Sequence, residues 1–291
     1  MKRYSALSVC AVAVLLAARA ATAAQFLDID FDADGLGAAP STGVTSSPIT
    51  KIGALGGYTP SAFNVPPNAD NGTIVVDNVA GMTKAAVLTT NSANPAVGAL
   101  FMDTGLGVVS SQLSVKFDIA VLAAPASATS QAPYVLDGSL NNTGVLFGVR
   151  AYNSTANQWA FSFAVTPTSE TGGVFALRDI TNTQLTSFGT YVEGEKHNIA
   201  ITTNYTTGTV DAYVDGVLGY SGYPSRTGPM VGNSTTSELF IYFNGESGSA
   251  NQVAIDNIQA FDTIIPEPAS LGLLGLGVSA MLLYGRRRAA K

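Results

Sequence analysis

Four aspartates two residues apart open the body of this 291-residue chain. Asp28, Asp30, Asp32 and Asp34 alternate with Leu27, Ile29 and Phe31 and run into Gly35. Asp30-x-Asp32-x-Asp34-Gly35 imitates the start of an EF-hand loop, in which such carboxylates wrap a calcium ion that takes six to eight oxygens. The imitation stops at Ser41, where that loop would need a bidentate glutamate, and no helical pattern flanks it. Equally, the four acids read as the solvated face of a strand that ends in a turn. His197 is the one histidine, and a Ser-His-Asp triad would need it beside a serine and an acid. Gly-x-Ser-x-Gly does not occur. One histidine and one cysteine argue against a zinc site of the His/Cys kind. Glu193-Gly194-Glu195 has the spacing that sets two carboxylates on one strand face, but it stands among polar residues and reads as a turn. For stacking on sugar rings, the candidates are Tyr152, Tyr220 and Tyr223. Trp159 alternates with Phe161 and Phe163 and so reads as core, whereas Tyr220 and Tyr223 flank Gly222 in an expected loop.

The ends of the chain carry addresses rather than chemistry. Met1-Lys2-Arg3 is basic, Ala6 to Ala18 is apolar, and Ala21-Thr22-Ala23 is a small-x-small cleavage site. Residues 1–23 therefore read as a secretory signal peptide, cut after Ala23 or Ala24. Cys10 lies inside it, so the exported body has no disulfide and no thiolate. Residues 24–265 form that body, which holds seven lysines and arginines against nineteen aspartates and glutamates. Its net charge is −12, twice the −6 of the whole chain, because basic residues gather at the ends. A body so acidic argues against nucleic acid as a partner. It suits either plain solvation or the holding of divalent cations.

Scarce Glu, Lys and Leu, with frequent Val, Ile, Thr, Tyr and Phe, predict strands rather than helices. Leu113, Val115, Phe117, Ile119 and Val121 give the cleanest period-two run, which predicts one buried and one wetter face. Similar runs are expected at Leu27–Phe31, Trp159–Val165 and Leu239–Phe243, with shorter strands near Thr73–Asp77, Ala85–Thr89, Val97–Met102, Gly144–Tyr152 and Gln252–Phe261. From Lys196 to Ser221, Ile199 and Ile201, then Val210, Ala212 and Val214, then Val217 and Leu218, predict three strands, the last two joined at Asp215-Gly216. The expected fold is all-β: a two-sheet antiparallel sandwich of roughly 12–14 short strands with turn signals between them. A signal helix is expected before it and a transmembrane helix after it.

Two stretches resemble known families. The tail reads Pro266-Glu267-Pro268, an apolar run from Ala269 to Tyr284, and Arg286-Arg287-Arg288. It resembles the PEP-CTERM sorting signal of Gram-negative bacteria, over residues 266–291. That resemblance implies processing near the Pro-Glu-Pro by the membrane enzyme exosortase. It also implies a transient inner-membrane anchor through the apolar helix, and release or transfer of the body to the surface of exopolysaccharide-forming cells. Arginines after an apolar run stay cytoplasmic and so place the body outside. The meander from Lys196 to Ser221, with His197 at its start and Tyr213-Val214-Asp215-Gly216 inside it, resembles laminin-G-like and other concanavalin A-like domains. This implies a jelly roll with neighbouring terminal strands and a structural role for His197. It also implies a structural calcium ion between the terminal strands, with Asp256 joining Asp28, Asp30, Asp32 and Asp34 as ligands. The Glu-x-Asp-x-Glu strand motif of glycosidases with this fold is missing. The readings left open are a non-catalytic carbohydrate- or exopolysaccharide-binding module, a structural surface protein without ligand, and a glycan hydrolase with an unfamiliar carboxylate pair.

Overall fold

The computed structural model describes residues 25–38, 72–90, 97–109, 111–124, 147–153, 158–169, 171–178, 185–224, 235–244 and 251–262. The signal segment, including Ala21 and Ala23, and the tail, including Pro266, Glu267, Pro268 and Arg286 to Arg288, lie outside these residues. Among the described residues no helix is long and apolar enough to cross a membrane.

Alternating apolar residues make strands here, as the composition predicts. Fourteen are formed by the described residues: β1 (Gln25–Ile29), β2 (Gly72–Val79), β3 (Met82–Thr90), β4 (Val97–Val109), β5 (Gln112–Ala123), β6 (Phe147–Asn153), β7 (Gln158–Ser169), β8 (Gly172–Arg178), β9 (Leu185–Val192), β10 (Lys196–Asn204), β11 (Thr209–Val214), β12 (Val217–Pro224), β13 (Thr235–Asn244) and β14 (Gln252–Phe261). They assemble into two antiparallel sheets. The larger has the order β12-β11-β10-β5-β14-β3-β2, with β1 also on β14; the smaller has the order β4-β13-β6-β7-β8-β9. β8 and β9 have no counterpart among the expected strands, and β1 ends at Ile29, short of the expected Phe31.

The core lies between the sheets. Leu113, Val115, Phe117, Ile119 and Val121 of β5 meet Phe161, Phe163 and Val165 of β7 and Phe175 and Leu177 of β8. Phe163 is central to an aromatic group, with ring centroids 5.2 Å from Phe117, 5.8 Å from Phe175 and 6.0 Å from Phe188. Edge-to-face and tilted contacts of this kind add to the burial of apolar area, the main favourable contribution to folding. The opposite face of β5 is drier than expected. Ser114, Asp118 and Ala120 are also buried, and Ala120 joins Met82, Ala85, Val87 and Ala254 in a second apolar cluster.

The predicted β11–β12 turn is present. Asp215 and Gly216 have φ of 53° and 76°, the double left-handed pair of a type I′ hairpin. Asp215 holds it closed, since its Oδ1 accepts from the Asn198 amide at 2.8 Å and its own amide donates to the Asn198 carbonyl at 2.8 Å.

Candidate functional site

The terminal strands lie side by side, as expected of this fold class. β1 runs along the last part of β14, pairing Asp28 with Gln259, while β3 pairs with the first part, from Gln252 to Ile255. Between these two partners β14 bulges, and Asn257 takes a φ of 50°. Asn tolerates this left-handed conformation better than most residues. The bulge sets Asp256 opposite Asp118 of β5 and brings the Asn257 side chain over both acids.

A polar lattice results. Asp118 Oδ1 accepts from Asn198 Nδ2 at 2.9 Å. Asp118 Oδ2 accepts from Asn257 Nδ2 at 2.9 Å and from Lys196 Nζ at 3.4 Å. Asp256 Oδ1 accepts from the Asn257 amide at 2.8 Å. Asp256 is only 4% exposed. Burial, reinforced by the negative charges of Asp118, Asp32 and Asp30, outweighs the Asn257 N–H and pushes its carboxyl up to about 6.

Of the acids expected to hold calcium, Asp30 and Asp32 are close enough for their charges to act on Asp256. The others have different partners. Asp28 Oδ1 accepts from Gln259 Nε2 at 3.2 Å, and the buried Asp34 ends a turn in which its amide donates to the Phe31 carbonyl at 2.9 Å. Lys84 Nζ donates to the Asp32 carbonyl. These oxygens are of the kind a hard cation prefers. Among the described residues, however, no group of three or more His, Cys, Asp or Glu is gathered in a way that could hold a metal ion. Asp118, Asn198 and Asn257 were not singled out from sequence; the one signal available was the wet-face position of Asp118 in its alternating strand.

His197 pairs with an acid at the start of a strand. Its Nδ1 lies 2.9 Å from Asp215 Oδ2, and its ring meets Phe175 edge-on at 5.4 Å. It thereby ties the start of β10 to the β11–β12 turn. Glu193 acts similarly: its Oε1 accepts from the Ala124 amide at 2.6 Å, which fastens the polar turn to the end of β5.

The candidate sugar-stacking tyrosines are not equivalent. Tyr220 and Tyr223 lie on β12 rather than in a loop. Asp211 makes this possible by accepting from both Ser221 Oγ and the Gly222 amide at 2.8 Å, which pins a bulge with Gly222 at a φ of 72°. The bulge leaves the two rings in edge contact at 5.5 Å. Tyr223 is 7% exposed and part of the core, whereas Tyr220 is 37% exposed at the sheet edge beside exposed Val217 and Leu218. Tyr152 lies in β6, opposite Glu238 and Trp159.

Residues 265–288 match the PEP-CTERM protein-sorting motif. That motif marks exported proteins that exosortase processes and that are sorted to the cell envelope. No curated protein matches the chain in sequence. Solved structures similar to it include a sialidase, at 11% identity and a TM-score of 0.41, covering 78% of this chain. The chain spans only 19% of that sialidase. Cellulose induced protein Cip1 is similar at 13% identity and a TM-score of 0.43, covering 69% of this chain and 91% of Cip1. Domain 4 of AbnA, a GH43 extracellular arabinanase from Geobacillus stearothermophilus solved with arabinotriose, is similar at 18% identity and a TM-score of 0.43, covering 84% of this chain and 95% of that domain.

Proposed function

We propose that the exported body is a non-catalytic, lectin-like module that binds carbohydrate at the cell surface. The observation that carries this reading is the pairing of an envelope-sorting motif with a two-sheet β body that leaves Tyr220, Leu218 and Val217 exposed along one edge strand. An aromatic ring with a polar rim suits pyranose rings, which present an apolar face and a ring of hydroxyls. The same reading includes a concanavalin A-like jelly roll, a cleaved signal peptide over residues 1–23, and a transient membrane helix within residues 266–291. The absence of catalysis is supported by the local duties of His197 and Glu193, which serve a turn and a strand end. A structural calcium ion near the terminal strands, drawing on Asp256 and backbone carbonyls rather than on a gathered set of three acids, belongs to this reading as well. Its charge would offset the burial, and after it the acidic neighbours, that raise the Asp256 carboxyl.

The test is a glycan and exopolysaccharide array, probed with the exported protein in calcium and again in chelator. Retention of a polysaccharide is expected, and its loss in chelator would tie calcium to the site or to the fold beneath it. No retention in either condition would leave a structural surface protein, and release of reducing ends would make it a hydrolase.

A further inference from the structure

Both ends of the folded body leave it at the same place. β1 opens at Gln25, just past the expected signal cleavage, and Gln25 pairs with Phe261 at the close of β14. Only residues 262–268 separate Phe261 from Ala269, where the apolar run of the tail starts. Fully extended, that stretch reaches at most about 28 Å. While the apolar run lies in a bilayer, this end of the body is therefore held close to the lipid.

The pairing register identifies what else stands at this end. Phe261 is opposite Ser114, and β5, β10 and β11 run on for two further rows. These rows hold Leu113, Thr203 and Val210, then Gln112, Asn204 and Thr209, with Tyr223 and Pro224 of β12 beside them. The β10–β11 turn closes the end. Asn204 Oδ1 accepts from the amides of Thr206 at 3.0 Å and Thr207 at 3.1 Å, and its carbonyl accepts from the Gly208 amide at 2.8 Å. The Tyr205 amide donates to the Ser111 carbonyl at 2.9 Å. Ser111, Thr206, Thr207 and Pro224 are exposed.

None of these residues carries a charge, on a body whose net charge is −12. Asp262 follows Phe261, and Asp211 lies in the row of Phe261, where Ser221 and Gly222 already use it. The other acids lie farther back. Asp28 is opposite Gln259, Asp118 is opposite Asp256, and Glu193 and Glu195 precede the far end of β10. At about 3.4 Å per residue, Asp28 stands about 14 Å and Glu195 about 30 Å behind the row of Asn204. Repulsion between an acidic body and anionic lipid fades over about 8–10 Å at physiological salt. An uncharged end turned to the lipid therefore keeps most of the acids beyond its reach.

We propose that, while the tail is in the bilayer, the body stands end-on against it, with Ser111, Thr206, Thr207 and Pro224 presented to the lipid surface. The three hydroxyls donate to headgroup oxygens without bringing charge of their own. This stance rests on the membrane-anchored stage of the reading above and is independent of sugar binding.

Cys10 is the only cysteine and lies in the signal segment, so single-cysteine labels are unambiguous in the exported chain. That chain, with its tail intact, is reconstituted in vesicles of phosphatidylethanolamine and phosphatidylglycerol that carry a nitroxide-headgroup lipid. A fluorophore is attached at Thr206→Cys, at Ser111→Cys, or at Thr171→Cys. Thr171 is exposed at the opposite end, where its carbonyl accepts from the Glu193 amide. The two labels on the uncharged end answer for each other should one substitution disturb the fold. Expected is loss of emission from the labels at 206 and 111 and none from the label at 171. Equal loss at both ends, or greater loss at 171, would overturn the end-on stance and leave the anchored stage standing. So would unchanged emission from all three in a chain that floats with the vesicles. A chain that does not float with them would count against the anchored stage itself, and against this stance with it.

Discussion

Asp256 is the residue whose surroundings oppose its charge most clearly. Its carboxyl titrates at about 6 when folded, against 3.8 ordinarily, first through burial and then through its acidic neighbours. A raised value means that the folded protein binds this proton more tightly than the unfolded chain does. Its contribution to stability is therefore complete below about pH 4 and is lost as pH rises through about 6. In calcium-free buffer, urea unfolding should show wild type losing about 1–3 kcal/mol over that window relative to Asp256→Asn. Asparagine keeps an oxygen for the Asn257 amide and removes the charge. Parallel pH profiles for the two proteins would disprove the assignment. Calcium sharpens the comparison, because an ion held at this carboxylate would stabilise wild type above pH 6 and do little for Asp256→Asn. Asp256 was legible as an acid on the closing strand beside an acidic opening strand. Asp118 and Asn257 were not, because their meeting with it depends on the β5–β14 register and on a bulge.

Among the elements, the β2–β3 hairpin is closed by a turn whose residue types do not match its geometry. Ala80 and Gly81 take φ of 49° and 75°, the type I′ pair for which Asn-Gly is preferred. An alanine in the left-handed region costs roughly 1–2 kcal/mol, and asparagine costs less. Ala80→Asn should therefore raise stability by about 0.5–1 kcal/mol, read as a higher melting temperature with an unchanged spectrum. An unchanged or lower melting temperature would contradict this account of the turn. The Asp215-Gly216 hairpin, by contrast, was readable in advance, since its residues do match the turn and regular alternation flanks it. β8 escaped notice because it lies at a place where the period-two signal fails: it is buried along almost its whole length, so apolar residues do not alternate. β9 escaped because Gly189 interrupts it, at a position where a Cβ would come within 2.6 Å of Val214.

At the scale of the whole molecule, the sorting tail and the acidic body make opposite demands. The apolar run from Ala269 to Tyr284, if helical, is about 24 Å long at 1.5 Å per residue. The hydrocarbon core it must cross is about 30 Å, so the span holds only with local thinning and with the arginines reaching back to the interface. In the proposed membrane-anchored stage, Arg286 to Arg288 would keep the far end cytoplasmic and the body, with its charge of −12, outside. A short span of this kind holds a protein for processing without needing to hold it for good. Processing at Pro266-Glu267-Pro268 should yield surface protein whose C-terminal peptide ends at or before the apolar run and lacks Arg286 to Arg288. Mass spectrometry of surface-exposed protein checks this directly, and intact arginine-bearing C-termini there would show that the tail anchors rather than releases. Changing Glu267 to alanine should shift the chain into the inner-membrane fraction while leaving the unfolding of the body unchanged, because among the described residues the last strand ends at Phe261, before the motif begins.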